Sequence, residues 1–514
     1  MGMGMEPLQR SFSLAVKNPH GVTIRKTLNQ LAQHSFKRPD CERNANNQDQ
    51  ALVILATPSF ATWLNDDAGF IPKTLRHLTS NLDQAAEIDV LVAVVDGLSP
   101  TPSEVPQANG SSPNEGFSIL HGSQSLVLPG LWSSEGHSPA VRTQELLSSI
   151  TISGAPSQAT EITLPLASTL FQNGRHSTLQ ASKWRFENGN FIKVRSEEKS
   201  QQTINVFSGN KTLELEELSR IPATPITPAR RIVSGLGNIV RRVDFGPDGV
   251  GPASRELEAS MDAYLESRNG ARTNIAVYAL IVPADIVRVR EAESSTGSED
   301  ENGLLTGRTE VEALWHAPNG NTGFIGDWIK KGATFCRVLS GGGGWGLKQG
   351  LLSLDPQTTY NQANEPSFSF MGVSFDEASS SSLSSSSALG DLAKPDAYIQ
   401  FFVADPHQGQ DQGERVKSNA TDGMTTVVGT VPSTVDEMPR VSEGLISDNI
   451  PDEDLFIHHV GHFGAVSESG MFVESSEASS ASFSGNSKSE SGSEGHMVRS
   501  KIDMPYSFYT WKTL

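Results

Sequence analysis

The sequence predicts a strand-rich fold of mixed α/β and α+β class, with mixed sheets, an N-terminal βαβ unit and long disordered Ser-rich and acidic loops. Three observations support this. Ala51–Ala56 (ALVILA) and Ile88–Val95 (IDVLVAVV) are continuous apolar runs of strand length, as expected of strands covered on both faces. Between them Phe70, Leu75, Leu78 and Leu82 recur at near-helical spacing, which predicts an amphipathic helix starting near Pro72 and hence parallel strands joined by a crossover. Downstream, short apolar runs outnumber helical patterns.

Taken in order, the chain begins with a basic stretch. Met1–Pro39 holds Arg10, Lys17, Arg25, Lys26, Lys37 and Arg38 against Glu6 alone. Within Val22–Gln33, Ile24, Leu28 and Leu31 share one helical face. A basic, Ser-containing, acid-poor amphipathic leader is the pattern of a mitochondrial transit peptide, so residues 1–45 are expected to act as one; the other reading is an ordinary N-terminal helix of a cytoplasmic protein. Residues 40–50 (DCERNANNQDQ) are turn-prone. An α/β domain is expected over 46–215, containing the βαβ unit, a Pro/Ser/Asn loop over 98–115 and a tight hairpin or bulged strand pair over Gly116–Leu128 around His121-Gly122.

Further strands are expected at Glu161–Leu166, Thr203–Phe207, Asn274–Val282, Val311–His316 and Thr334–Leu339. Ser367–Val373, Tyr398–Val403, Thr425–Val431, Leu455–Val460 and Gly470–Val473 follow. One more helix is expected over Ser254–Arg268, with Ser254 as N-cap, Glu256 and Glu258 in the first turns, and Leu257, Met261, Tyr264 and Leu265 on one face. Residues 216–290 read as a basic Pro/Gly segment plus that helix. Residues 305–514 read as a C-terminal β-rich domain interrupted by Ser-rich loops at 376–390 and 474–500. Glu291–Asn302, Asp376–Ala388 and Glu474–Arg499 hold too little apolar surface to offset the entropy of ordering and are expected to be disordered.

The length of 514 residues suits two to four domains. Lys and Arg number 40 against 59 Asp and Glu, and only 36% of residues are hydrophobic. Seven basic and four acidic residues leave the first fifty at +3 and residues 51–514 at −22. Such a body does not coat nucleic acid. Cys41 and Cys336 are too few for a disulfide framework or a Cys-based zinc site. No apolar run reaches the roughly 18 residues of a spanning helix.

Two glycine-containing segments invite comparison with phosphate-binding templates. Gly235-Leu236-Gly237-Asn238-Ile239-Val240 opens like a dinucleotide fingerprint but has Val240 in place of the third glycine. What remains is a basic segment framed by Arg230-Arg231 and Arg241-Arg242, a clamp for RNA or another anion, or a set of structural ion pairs. Ser340–Lys348 carries Gly341, Gly342, Gly343 and Gly344, whose amides could form an anion nest with Lys348 as counter-charge; alternatively the glycines form a turn that seats Trp345. The order G-x-x-x-x-G-K-[ST] is absent there.

Catalytic templates fail. Around His121, Gln124 stands where a nucleophile-elbow Ser belongs. His458 and His462 have the i, i+4 spacing of a metal-binding helix, but Gly461 and Gly464 argue for strands, and no metal or cofactor is expected. In an open α/β sheet the ligand crevice lies beyond the carboxyl ends of the parallel strands. Thr57 and Ser59 follow the first strand and Asp96 and Gly97 the second, while Ser118, His121, Gly122 and Ser123 come from the next segment. Small hydroxyls, one acid, one imidazole and exposed glycine backbone suit a small polar ligand; as turn residues they would simply satisfy local hydrogen bonds.

ALVILATPSF, the helix, IDVLVAVVDGL and GFSILHGSQSL together resemble the N-terminal half of the FIST family over residues 50–130. The resemblance implies a sensory or F-box-associated domain that binds small ligands such as amino acids, and it carries no catalytic residue. The remainder, with its Ser tracts and basic leader, is similar to filamentous-fungal mitochondrial proteins. The expectation is therefore a non-catalytic protein of the mitochondrial matrix that binds a small molecule or a protein partner. Two alternatives are an accessory factor touching RNA through Arg230–Arg242, and a hydrolase or transferase using Ser123 or His121 near Asp96.

Overall fold

Arg10–Val16 (β1), Gln50–Ala56 (β2), Glu87–Val94 (β3) and Gly116–Ser123 (β4) form the middle of a seven-stranded mixed sheet. Its order is Asn190–Glu198, Leu179–Glu187, β3, β2, β4, β1, Phe456–Val460. β2 and β3 pair in parallel, Gln50 opposite Ile88 and Ala56 opposite Val94, and every other neighbouring pair is antiparallel. The expected βαβ unit is present, with its helix over Phe70–Leu78. The computed structural model describes residues 9–34, 50–79, 86–108, 112–133, 147–154, 160–207, 215–267, 275–284, 286–287, 322–341, 350–360, 392–404, 423–433, 455–476 and 497–513.

These residues divide into two units, neither continuous in sequence. One comprises Met1–Arg220, Gly413–Met471 and Asp503–Leu514; the other comprises Ile221–Gln412 and Phe472–Ile502. The stretch 305–514, expected as a single C-terminal domain, is shared between the two units. The strands Thr425–Thr430, His462–Ser467 and Phe508–Thr513 return to the first unit, where Phe508–Thr513 pairs with Leu215–Arg220.

Strand alternation determines which side chains line each face of the seven-stranded sheet. Phe12, Leu14 and Val16 of β1, Leu52, Ile54 and Ala56 of β2, and Ile88, Val90, Val92 and Val94 of β3 face one way. They bury against Ile24–Leu31 (α1), the 3₁₀ turn Pro58–Leu64 and Phe70–Leu78 (α2), through Leu28, Leu31, Phe60, Leu64, Phe70, Leu75 and Leu78. A Phe60–Phe117–Phe70 group, with Trp63, fills the centre of this layer. The opposite face meets the four-stranded sheet of Leu215–Arg220, Phe508–Thr513, Thr425–Thr430 and His462–Ser467. The chain passes from one sheet to the other at Gly461, whose φ of +73° suits glycine.

Three expectations change here. Residues 10–34, expected within a leader, contribute a sheet-interior strand and a core helix, because Phe12, Leu14, Val16, Leu28 and Leu31 are all buried. Gly116–Leu128 is not a hairpin: β4 runs unbroken to Ser123, and Gln124–Val127 is a short helix. The Glu474–Arg499 tract is ordered at both ends, in the strands Met471–Ser476 and Met497–Ile502, with Arg499 paired to Glu474 at 3.3 Å; residues 477–496 lie outside the described residues. So do Glu291–Asn302, Asp376–Ala388, Val311–His316 and Ser367–Val373.

In the second unit six antiparallel strands close into a barrel: Arg230–Leu236, Ile239–Asp244, Leu352–Leu354, Thr334–Gly341, Val277–Val282 and Tyr398–Ala404. Ile232, Val240, Ile281, Cys336, Leu352 and Ile399 belong to its core. The helix Ser254–Ser267 matches its expectation and contributes Leu257. The sequence once compared with a dinucleotide fingerprint is the hairpin turn Gly237-Asn238 between Leu236 and Ile239. Gly237 has φ +60° and Asn238 does not share the positive sign, the pattern of a type II′ turn.

Two glycines let neighbouring strands of the first unit lie close: Gly116 of β4 beside β1, and Gly464 of His462–Ser467 beside Thr425–Thr430. A Cβ on Gly116 would overlap the Leu14 carbonyl oxygen, and one on Gly464 the Val427 carbonyl oxygen. Gly464→Ala is therefore expected to cost at least ~3 kcal/mol in denaturant unfolding, since backbone atoms cannot step aside. Gly174→Ala, also at positive φ but with nothing within 4 Å, should cost only about 1 kcal/mol. Equal losses at the two sites would contradict this account of the packing.

Candidate functional site at the carboxyl ends of the parallel strands

The parallel pair β2/β3 ends at Thr57 and Asp96. Thr57 is fully buried and binds locally: its hydroxyl donates to the Glu115 carboxylate and accepts from the Gly116 amide at 3.0 Å. It fastens the end of β2 to the start of β4 and is not presented to a ligand. Ser59 is exposed on the following 3₁₀ turn.

Asp96 has the most distinctive environment. Its Oδ2 accepts the Glu468 amide at 2.8 Å and the Ser467 hydroxyl at 3.3 Å. Gly97 bridges to Val466 and lies so close to Pro113 that a Cβ would overlap that ring. Burial pushes the Asp96 carboxyl up to about 6; the Glu468 amide opposes the shift, and the Glu468 charge adds to it. A half-buried acid thus sits beside a second acid where parallel strands end, a place suited to an ammonium or hydroxyl donor.

The remaining expected residues are elsewhere. β4 runs antiparallel to β2, with Phe117 opposite Ala56 and Ser123 opposite Gln50. His121, Gly122 and Ser123 therefore lie at the opposite end of β2, on the order of 15–20 Å of strand from Asp96. His121 instead meets the Gln50 carboxamide at 3.3 Å. The expected grouping of His121 or Ser123 with Asp96 is corrected by this register.

Ser118 belongs to a network between the sheets. The Gly464 amide donates to Ser118 Oγ at 3.0 Å, the Ser118 and Ser13 hydroxyls are 3.0 Å apart, and Ser13 Oγ is 2.8 Å from His462 Nδ1. His462 Nε2 lies 3.2 Å from the Pro100 carbonyl and 3.4 Å from Ser99 Oγ. A carbonyl only accepts, so Nε2 carries the proton and Nδ1 accepts from Ser13. Burial drives the His462 pKa down to about 4, with His459 adding to the effect, so the ring is neutral. The pair has the form of a nucleophile and its base, but Ser13 is 1% exposed and His462 2%, sealed from any substrate.

The other histidines of 458–462 have a separate role, on strands as expected. His458 Nε2 donates to the Gln30 carboxamide at 3.0 Å, leaving its Nδ1 to accept from His34 Nε2 at 2.6 Å. This joins the α1 segment to the strand Phe456–Val460. Among the described residues no group of three or more His, Cys, Asp or Glu could hold a metal ion.

The Arg clamp is largely committed. Arg230 forms a forked pair with Glu256 at 2.6–3.2 Å, and Arg231 bonds Asp244 at 2.9 Å and Asp396 at 3.1 Å. Arg242 reaches the Val250 carbonyl at 3.4 Å and is exposed, as is Arg241. Gly341 ends the strand Thr334–Gly341, whereas Gly342, Gly343, Gly344, Trp345 and Lys348 lie outside the described residues.

Comparison of the chain with protein-family models, curated proteins and solved structures finds no match to any of them.

Asp96 and His462 titrate in opposite senses. A carboxyl raised to about 6 in the fold contributes stability below the unfolded pKa near 4, and this is lost as pH rises through 6. An imidazole lowered to about 4 contributes stability above the unfolded value near 6.5, and this is lost as pH falls through 4. Asp96→Asn removes only the first dependence. It should be more stable than the parent by ~1–3 kcal/mol at pH 7, a gap that closes by pH 4. A gap that does not vary with pH in urea unfolding would show that Asp96 is not the titrating group.

Proposed function

We propose that the protein is a non-catalytic binder of small polar ligands that carry an amine, such as amino acids, with its site at Asp96. The observation behind this reading is the juxtaposition of Asp96, Ser467 and Glu468 where β2 and β3 end. Two adjacent carboxylates in a half-buried position favour an incoming ammonium over an anion, while the buried Ser467 hydroxyl holds Asp96 in place. The FIST resemblance over residues 50–130 points to the same ligand class. The reading as a binder is favoured over a hydrolase because His121 and Ser123 lie at the far end of β2, and the Ser13–His462 pair is enclosed. A mitochondrial location belongs to this proposal only if the basic residues of the N-terminal stretch are recognised with β1 and α1 retained in the fold; a cytosolic signal from the tagged full chain would remove it.

The test is a thermal-shift screen of the full chain against the common amino acids and simple amines, followed by calorimetric titration. A ligand at a hundredfold excess over its Kd should stabilise the fold by about 2.7 kcal/mol. Asp96→Asn should abolish that shift, and Glu468→Gln should weaken it. No shift from any amine, or a shift unchanged in Asp96→Asn, would overturn the proposal.

A further inference from the structure

α1 and α2 are built from IRKTLNQL and FIPKTLRHL. They hold Arg25, Lys26, Lys73, Arg76 and His77 and no acidic residue, in a chain of net charge −19. The first turn of α1 carries Arg25 and Lys26, and Lys73 sits in the first turn of α2. The helix macrodipole disfavours cations at those ends and favours anions, so these placements work against helix stability. A bound anion would relieve them.

Between the two helices lies an open cleft of about 480 Å³, lined by Ile24, Arg25, Leu28, Asn29, Lys73 and His77. Its volume falls within the range of small-molecule sites. Leu28 is buried and Ile24 half-buried, and they form an apolar floor; Arg25, Asn29 and Lys73 are exposed around it. Several cations elsewhere in this acid-rich chain are matched: Arg185 with Glu87, Arg230 with Glu256, Lys501 with Asp355. Among the described residues, Arg25, Lys73 and His77 have no ion-pair partner, and they converge on one concavity. A membrane-docking helix would direct its apolar face outward, whereas Leu28 belongs to the core cluster.

We propose that the α1–α2 cleft is a second binding site, for a small organic anion with a carboxylate or phosphate head held by Arg25 and Lys73 and an apolar tail laid over Ile24 and Leu28. It is independent of the Asp96 site, both in its residues and in the sign of charge it selects.

The full chain is titrated calorimetrically at low salt with decanoate and hexyl phosphate, each below its micelle concentration, and with inorganic phosphate. Saturable one-to-one binding of decanoate, hexyl phosphate or both is expected, and the tighter of the two identifies the head group. Arg25→Ala/Lys73→Ala, at exposed positions, should weaken binding about tenfold or more, while Asp96→Asn leaves it unchanged. Hexyl phosphate should bind about tenfold or more tighter than inorganic phosphate because only the former covers the apolar floor. Unchanged affinity in the double variant, equal affinity for phosphate and hexyl phosphate, or binding confined to anionic vesicles would each overturn the proposal. Loss of amine binding in Asp96→Asn with the anion still bound would leave this proposal standing, so the two sites fail separately.

Discussion

One neutral imidazole holds together strands from distant parts of the first unit. His462 reaches Ser13, 449 residues earlier in the chain, and Ser99, 363 residues earlier. Through Ser13 it meets Ser118, which receives the Gly464 amide. Ser118 Oγ, Ser13 Oγ and both ring nitrogens of His462 each have a partner, so the network binds the two sheets without leaving a desolvated donor of its own. It also needs Gly464 in place, because a Cβ there would overlap Ser99 Oγ. An apolar seam of the same size would hold the sheets with less control of register. Here a one-residue slip of β1 would swing Ser13 to the helix face and put Phe12 or Leu14 against His462.

The electrostatics of the unit follow from the same closeness. His462 is kept neutral and Asp96 is brought towards neutrality, both chiefly by burial. Between about pH 4 and 6 the unfolded chain gains a proton at the imidazole that the fold excludes, and lacks one at Asp96 that the fold retains. The two linkages cancel over that window. The sheet seam and the strand-end acid are thus balanced against mild acid, although neither is an ion pair. Pairs of the usual kind lie on the other side of the sheet, where Glu87 faces Arg185 and Asp89 faces Lys183 across one interior strand pair.

Continuous apolar runs made the parallel pair legible in the sequence, and a Ser cap with acidic first turns made Ser254–Ser267 legible. β1 carries the same alternation, Phe12, Leu14, Val16, but its surrounding positive charge reads as a leader, and charge says nothing about which strand a segment will join. The hairpin Leu179–Glu187/Asn190–Glu198 is half-exposed and charged, so its apolar signal is weak; its mark in the sequence is Asn188-Gly189, both at positive φ. At the site, Asp96 was legible because strand ends attract ligands. Ser467 and Glu468 were not, since they arrive from a turn more than 370 residues away. His121 was misplaced because an antiparallel β4 reverses which end of the sheet it reaches.

The order in which these strands leave the ribosome has its own consequence. β1 emerges first and gains its β4 neighbour within about a hundred residues, but its other neighbour, Phe456–Val460, comes near the end. All six barrel strands of the second unit lie between them, from Arg230 to Ala404. The second unit's barrel strands are thus all synthesised while the first unit's sheet still ends on an unpaired β1 edge. An open edge is a template for a second nascent chain. The β1 edge therefore stays open to such pairing until Phe456–Val460 has been made.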